Sequence, residues 1–388
     1  MRVLIAPDCF SGTLSAAQAA EAIADGWRRT APDDDLTLLP LSDGGPGFID
    51  VLSRALAGET VSVTVADPLG RPVPAAILMV DVGATRTAYI ESAQACGLHL
   101  LSYDERNPMV TSTYGVGQLI DAAVGEGATR VVVGLGGSGT NDGGAGMLAA
   151  VGAGDPTALA AGGAALSRLA VDALEGLPLV RERLGSVELV LATDVDSPLL
   201  GFHGASAVFA PQKGATPEMA QELESALGRF TEVVGKVVPS GRDLLTGTVI
   251  RRDREPGAGA AGGLGYGLLL LGGHRVSGAQ VVLEAVGFDA LVLAADLVIT
   301  GEGTFDWQSL RGKVVAGVAE AALARARPTV VIAGQALVGR RDSMALGISG
   351  TYAVAENPGQ LAAALADPAG TLSKRTERVA TTWSTRQA

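Results

Sequence analysis

The chain has 388 residues, of which 47% are hydrophobic and 18% charged, so it can bury a large core and is not a disordered protein. Its formal net charge of −12 argues against nucleic acid as a partner, because phosphate binding needs clustered cations. The sequence shows no apolar run of membrane length, no signal peptide and no cysteine framework, which predicts a cytoplasmic protein without a membrane partner, with two domains expected at this length.

The first part of the chain alternates between strand and helix. Val3–Ala6 is predicted to be a buried strand of parallel type, Ala16–Arg29 a helix and Leu36–Leu41 a second strand. Asp8 follows the first strand and Asp43 the second, at the edge where open α/β sheets bind ligands. An aspartate at a strand end can equally cap a helix, so both interpretations stay open for these two carboxylates.

The pattern changes after residue 65. Thr60–Val65 and Ala75–Val82 flank a hairpin-like turn, which predicts antiparallel or mixed strands, and strand–helix alternation returns in the last hundred residues. We therefore predict an α/β fold in which a doubly wound, mostly parallel domain contains residues 1–65 and 285–388. A second, mixed α/β domain of residues 66–284 is predicted to be inserted into it.

The most informative stretch is residues 130–146, which read RVVVGLGGSGTNDGGAG. A β-branched run gives way to seven glycines between Gly134 and Gly146, and an apolar helical pattern follows. Four polar residues lie among these glycines: Ser138, Thr140, Asn141 and Asp142. The last two are good helix N-cap types. A glycine loop that enters a helix favours a bound phosphate or carboxylate, and a purely structural turn is the alternative.

The same stretch matches the dinucleotide-binding fingerprint at Gly134, Gly136 and Gly139. That motif requires an acidic residue at the end of a second strand about 20 residues on, whereas Asp155 lies in a turn. A function as a nicotinamide-dependent dehydrogenase is therefore supported only by the glycine spacing.

Further charged residues follow later strands. Asp194 and Asp196 come after the predicted strand Glu188–Ala192 and would face the same side of an extended segment, which suits Mg²⁺ or a general base. Lys213 and Lys313 lie beside glycines, where a lysine can contact phosphate as a point charge, although a solvated surface lysine is the alternative. Phosphoryl transfer fits these groups best, and the sequence contains no P-loop.

Taken together, the motifs resemble those of the type-I bacterial glycerate kinases over nearly the whole chain. The motifs that carry this resemblance are Ala6-Pro7-Asp8, Ser42-Asp43-Gly44-Gly45, Asp67-Pro68-Leu69-Gly70, Asn107-Pro108 with Thr111-Ser112-Thr113-Tyr114-Gly115, residues 136–144, Pro211-Gln212-Lys213-Gly214-Ala215, residues 257–265, and Gly301-Glu302-Gly303 with Leu310-Arg311-Gly312-Lys313. The resemblance implies ATP- and Mg²⁺-dependent phosphorylation of D-glycerate, with two α/β domains closing over an active-site cleft.

The resemblance also implies roles for particular residues. The catalytic candidates are Asp194, as the base that takes the hydroxyl proton, with Asp8 and Lys313. The candidates for binding ATP or the acid are Gly136, Gly137, Ser138, Thr140, Asn141, Asp142, Lys213, Gly301 and Glu302. The candidate Mg²⁺ ligands are Asp43, Asp194 and Asp196.

Three positions depart from the family pattern. Ser11 and Thr304 stand where a lysine and an arginine are usual, and Pro46 stands where a glutamate is usual. These losses leave open an altered acceptor, or a non-catalytic paralogue that binds a small acid or nucleotide. The sequence does not decide between the 2- and 3-hydroxyl of glycerate, nor the oligomeric state, for which a homodimer is one alternative.

Overall fold

The computed structural model describes residues 1–10, 12–239, 241, 247–310 and 312–384. The chain divides into two compact units, here called the first and second unit. The first unit consists of Met1–Asp43, Asp50–Ala55 and Ser277–Ala388, and the second of Gly44–Ile49 and Leu56–Val276. No helix within the described ranges has both the length and the apolar character needed to cross a membrane.

The first unit is built on a sheet of five strands in which every pairing is parallel. In sheet order the strands are Ile348–Ala353, Thr329–Ala333, Leu297–Thr300, Arg2–Ile5 and Asp35–Leu38. The three central strands are almost wholly buried, which explains their continuous apolar sequence. A short parallel pair, Thr304–Phe305 with Gln335–Ala336, forms a separate two-stranded sheet.

The helices of the first unit pack against one another through small residues. Ala16–Thr30 begins with a capping box between Ser15 and Gln18 and packs on Pro368–Trp383. A Cβ at Gly26 would lie 2.1 Å from the Ser373 carbonyl oxygen, so only glycine permits this approach. The other helices are Gly278–Ala285, Phe288–Ala294, Val314–Ala324, Arg340–Ala345 and Pro358–Ala366, together with Phe48–Ala55 from Asp50 onwards.

The second unit contains a mixed sheet of six strands. In sheet order they are Glu59–Ala66, Pro72–Val82, Thr85–Glu91, Arg130–Gly134, Glu188–Ala192 and His274–Val276. The first two pairings are antiparallel and the other three parallel. The Asp67 carboxylate accepts hydrogen bonds from the backbone of Leu69 and Arg71, which closes the predicted hairpin turn. The predicted α/β class, with a mostly parallel sheet and a second, mixed one, is confirmed.

The helices of the second unit are mostly short. They are Ala93–Cys96, Tyr114–Gly125, Ala145–Ala150, Pro156–Leu159, Leu177–Arg183, Ala205–Phe209, Pro217–Val237 and Ala260–Leu270, with 3-10 turns at Leu98–Leu100, Tyr103–Glu105, Gly163–Arg168, Asp172–Leu174, Pro211–Lys213 and Arg252–Arg254. A continuous apolar core lies between the sheet and these helices, and Val131, Leu191 and Phe230 are completely buried in it.

The bounds of the two units differ from the domain boundaries that the sequence predicts. Residues 56–65 belong to the second unit, because the strand Glu59–Ala66 pairs along its length with Pro72–Val82. Residues 277–284 belong to the first, because the helix Gly278–Ala285 packs on Val314–Ala324. In both places, contacts with residues distant in sequence decide which unit a segment belongs to, and local composition does not reveal these contacts.

Candidate active site

The glycine loop of the second unit joins the strand Arg130–Gly134 to the helix Ala145–Ala150, as the sequence predicts. Its backbone is packed directly against other backbone. A Cβ at Gly136 would lie 2.6 Å from the Gly45 Cα, and one at Gly262 would lie 1.9 Å from the Thr140 carbonyl oxygen. Gly262 also has a positive φ of 69°. The absence of a side chain at Gly262 therefore leaves room for the backbone of this loop.

Asp142 is fully buried, and its carboxylate binds the chain itself. It accepts hydrogen bonds from the Thr113 backbone at 2.8 Å and the Thr113 hydroxyl at 2.9 Å, and from the backbone of Gly144 and Gly146 at 3.1 Å. Burial raises the pKa of Asp142, and these bonds oppose that shift. The N-cap of this helix is Gly144 and not Asn141 or Asp142, and Asp142 binds the amides of Gly144 and Gly146 from two positions before the cap.

Lys213 brings several predicted site residues together. Its side chain is only 1% exposed, and its ammonium donates to the Ser138 hydroxyl at 2.9 Å and to the Thr140 carbonyl at 2.6 Å. Burial lowers the pKa of Lys213 to about 8, while Cys96 and Asp142 raise it. Lys213 is therefore neither the solvated surface lysine nor an openly presented point charge.

Asn141 lies in the same loop and is completely buried. Its Nδ2 donates to the Ser206 hydroxyl at 3.0 Å, while its Oδ1 has no hydrogen-bond partner among the described residues. An unsatisfied buried amide oxygen costs free energy, and a ligand that carries a donor would remove this cost.

Asp194 and Asp196 follow the strand Glu188–Ala192, but the strand ends before them. Residues 193–196 lie beyond the assigned strand, so the expectation that the two carboxylates face one side stays a prediction. Asp196 is exposed and forms an ion pair with Arg275, with 2.8 Å between Oδ1 and Nη2. Asp194 is half-buried. The two carboxylates thus differ in exposure.

The first unit carries a separate group of charges, here called the acid–lysine group: Asp8, Asp43, Glu302, Asp306 and Lys313. It lies where two adjacent parallel strands end, since the Asp8 backbone donates to the Gly301 carbonyl at 2.8 Å. A Cβ at Gly301 would lie 2.0 Å from the Ile332 carbonyl oxygen, so this position also requires glycine. Burial, and then the charge of Asp43, raise the pKa of Asp8 well above its usual range.

Glu302 and Lys313 respond to this group in different ways. Burial raises the pKa of Glu302 to about 7, and its Oε1 is buried with no hydrogen-bond partner among the described residues. Burial lowers the pKa of Lys313, but the nearby carboxylates, Asp43 first, raise it further, so the net shift is upward. In the described part of the chain, no hydrogen bond or ion pair engages the Lys313 ammonium. A charged lysine thus faces carboxylates without being bonded to them.

The predicted Mg²⁺ ligands are divided between the units: Asp43 belongs to the first, and Asp194 and Asp196 to the second. Within the residues that the structure describes, no three His, Cys, Asp or Glu side chains form a metal-binding group. Magnesium usually keeps several waters and takes only one or two protein carboxylates beside substrate phosphates. These separate aspartates therefore fit a Mg²⁺ ion that is bound mainly by nucleotide phosphates and water. They do not fit a site in which the protein alone supplies all the ligands.

Of the three departures from the family pattern, two can be placed. Pro46 is exposed, and a Cβ at Gly137 would lie 2.7 Å from its Cγ, so its ring packs on the glycine loop. Thr304 is exposed at the start of the short strand that pairs with Gln335–Ala336. Ser11 lies outside the described residues, as does Arg311 in the last of the resemblance motifs.

Two supporting residues have no role in the sequence-based prediction. The Glu91 carboxylate accepts hydrogen bonds from the backbone of Gly47 at 3.1 Å and Ile49 at 3.2 Å, and so fixes the segment that follows Asp43. Thr113 binds Asp142, and its hydroxyl also accepts from the Met147 backbone at 3.0 Å. Thr113 lies within a resemblance motif, which was the available signal, whereas nothing in the sequence distinguishes Glu91.

Comparison with known proteins shows one family along nearly the whole chain. A profile of the glycerate kinase family matches residues 3–384. Glycerate kinase of Bacillus subtilis (strain 168) is 46% identical over 351 residues, which cover 89% of this chain and 87% of that protein. Glycerate 2-kinase of Escherichia coli (strain K12) is 39% identical over 340 residues, which cover 86% and 85%. A crystal structure assigned as a glycerate kinase 2 of Salmonella typhimurium LT2 is 37% identical, with a TM-score of 0.71 and 98% of each chain covered. The chain belongs to the glycerate kinase family.

Proposed function

We propose that this enzyme transfers the γ-phosphoryl group of ATP to a hydroxyl of D-glycerate, or of a closely related small hydroxy acid, with Mg²⁺ as the metal ion. Membership of the family supports the kinase chemistry. The observation that carries the assignment of a site is the glycine loop of residues 136–142, where buried polar side chains and closely packed backbone surround a fixed lysine. A cytoplasmic location fits a reaction that consumes ATP, and a homodimer is a proposal that light scattering would test.

The second unit is proposed to bind phosphate groups and to supply the base. Gly136 and Gly137 allow a ligand to approach the backbone, and Ser138, Thr140 and Asn141 carry the polar atoms of the loop. Asp194 is proposed as the base that takes the proton from the accepting hydroxyl, because it follows a buried parallel strand and is half-buried, whereas Asp196 is exposed and paired with Arg275. Asp142 is proposed to stabilise the conformation of the loop through its hydrogen bonds to the backbone.

The first unit is proposed to contribute charge. Lys313 carries a positive charge that is attracted by nearby carboxylates but forms no hydrogen bond or ion pair among the described residues, which suits contact with a phosphoryl oxygen or the acid carboxylate. Asp8, Glu302 and Gly301 define its surroundings. Asp43, Asp194 and Asp196 are the proposed Mg²⁺ ligands, each offering one carboxylate, and Asp196 would have to exchange its ion pair with Arg275 to serve. When bound, Mg²⁺ would neutralise charge on the phosphates of ATP.

The test is ADP release from ATP and Mg²⁺ with a panel of small hydroxy acids, with the phosphorylated product identified by phosphorus NMR. D-Glycerate should be the best acceptor. Asp194→Asn should reduce ADP formation by at least a hundredfold while nucleotide affinity changes little, because a base acts in the chemical step. Asp172→Asn, an exposed aspartate of the same unit, is the matched control. ATP binding without turnover on any acid would refute the proposed activity, and full turnover by Asp194→Asn would refute its role.

A further inference from the structure

Lys213 occupies a position in which its backbone and its side chain are both fixed. It ends the 3-10 turn Pro211–Lys213, and its N–H donates to the Ala210 carbonyl at 3.0 Å. The next residue, Gly214, has a φ of +94°, and a Cβ there would lie 2.3 Å from the Arg106 carbonyl oxygen. The turn is therefore held on two sides, and the lysine side chain extends from it into the protein interior.

The ammonium group is bonded to two oxygens of the loop, and the hydroxyl that it contacts belongs to a slightly more exposed residue. Lys213 is 1% exposed and Ser138 is 6% exposed. An ammonium group has three donors and no acceptor, so the bond of 2.9 Å between them must use a lone pair of the Ser138 oxygen. The Ser138 proton cannot point towards Lys213 as well and must point to another acceptor.

Among the residues that the structure describes, the Ser138 hydroxyl donates no hydrogen bond, and its recorded side-chain bond is the one that it accepts from Lys213. The loop backbone is fixed at the same time, because Lys213 also binds the Thr140 carbonyl and Thr111 donates to the Gly139 carbonyl at 2.9 Å. Ser138 is therefore a hydroxyl with a fixed position and a fixed polarity. It is prepared to donate to an anionic oxygen and is poorly suited to accept from a ligand.

We propose that Lys213 is a positioning residue, which binds the Ser138 oxygen so that the Ser138 proton is donated to a phosphate oxygen of the nucleotide. The inference rests on the proposed function, since it takes the glycine loop as the nucleotide-phosphate site. In this arrangement Lys213 does not contact the phosphate directly, because the neutral Ser138 hydroxyl lies between them. The buried ammonium then contributes through the direction of a hydrogen bond rather than through its own contact with the ligand.

The test is a double-mutant cycle with Lys213→Met, Ser138→Ala and the double variant. ATP affinity is measured by calorimetry with a non-hydrolysable analogue, and KM and kcat by ADP release. Each single change should weaken ATP binding by roughly tenfold, the loss expected for one hydrogen bond to a charged group. The double variant should be no weaker than the worse single variant, because both changes remove the same contact. KM for the acid should change less than twofold.

Losses that multiply in the double variant would show that Lys213 meets the ligand independently and would overturn the proposal. A larger change in KM for glycerate than for ATP would also overturn it. Lys236→Met, on the exposed face of the helix Pro217–Val237, is the matched control for removal of a lysine charge. If the wild-type chain neither binds ATP nor releases ADP, the proposed function itself has failed, which is a separate result.

A second measurement needs no change at Lys213. The titratable groups that face its ammonium are the Cys96 thiol, whose pKa is raised by burial to about 12, and the buried Asp142. As pH rises through about 8, Lys213 loses its charge and can accept from Ser138, so ATP affinity should fall. Ser138→Ala should abolish this dependence. An unchanged pH profile in Ser138→Ala would contradict the proposal even if Lys213→Met does not fold.

Discussion

Two lysines of this chain, Lys213 and Lys313, lie beside a glycine, yet their surroundings are opposite. Lys213 is bonded to two neutral oxygens and sealed from solvent, so burial dominates and its pKa falls to about 8. Lys313 faces carboxylates without bonding to them, and their charge outweighs burial, so its pKa rises. The comparison shows that a lysine in a glycine-rich motif can either shape a loop or present its charge. Only the tertiary environment decides between these roles.

The largest expected effect tests whether Lys313 presents its charge to the substrates. Lys313→Met should lower turnover by roughly 10²–10³-fold, the loss typical of one group that stabilises transition-state charge. The free energy of unfolding should change by less than about 1 kcal/mol, because no bond within the described chain is lost. ADP release and urea unfolding measure the two quantities, with the exposed Lys374→Met as the control in the same unit. Near-normal turnover would place Lys313 with Lys213 as a structural lysine.

The next effect tests the structural role of the loop around Lys213. Asp142→Asn turns an amide N–H₂ towards backbone donors of Thr113, Gly144 and Gly146, so a buried donor loses its partner. The free energy of unfolding should fall by about 2–3 kcal/mol, with the urea m-value unchanged. Thr113→Val removes the hydroxyl from the same network and should cost about 1–2 kcal/mol. Wild-type stability for Asp142→Asn would show that the carboxylate is not the support that its contacts indicate.

The smallest effect concerns pH and the acid–lysine group. The folded pKa of Glu302, about 7, is raised above its ordinary value of 4.5, so the folded chain holds this proton over a range where the unfolded chain releases it. The stability associated with protonated Glu302 is complete below about pH 4.5 and is lost as pH rises towards 7. Compared with Glu302→Gln, the wild-type chain should therefore become relatively less stable between these values.

Urea unfolding of both proteins at several pH values between 4.5 and 8 measures this difference. A difference in stability that does not change with pH would mean that Glu302 titrates normally in the folded chain. Opposite slopes would mean that Lys313 controls this carboxyl more strongly than burial does.

The sequence predicts those features that depend on neighbours along the chain. The buried strands, the glycine loop and the positions of Asp8 and Glu302 after their strands follow from apolar runs that end in glycine or polar residues. The strand Glu59–Ala66 pairs with Pro72–Val82 in the second unit, whereas the predicted boundary at residue 65 places most of it in the first domain. The expectation that Asp194 and Asp196 face one side depends on an extended segment beyond Ala192, where the strand ends, and it stays a prediction.

The features that the sequence does not predict depend on distant contacts. Thr113 meets Asp142 across 29 residues and Glu91 meets Ile49 across 42, and neither separation corresponds to a local pattern. The difference between Lys213 and Lys313 has the same origin, since Lys213 meets Ser138 across 75 residues. Local rules place polar residues at a strand end, whereas long-range packing determines which of them remain available to a ligand.

The close approach of Gly262 to the Thr140 carbonyl affects how mutational tolerance should be interpreted in this protein. A saturation scan would find position 262 as intolerant as any residue that touches substrate, although its part is only to leave room for another stretch of main chain. Rankings of active-site residues by sensitivity alone would therefore mix true contacts with such spacers. Ligand-affinity measurements on folded variants are needed to separate the two groups.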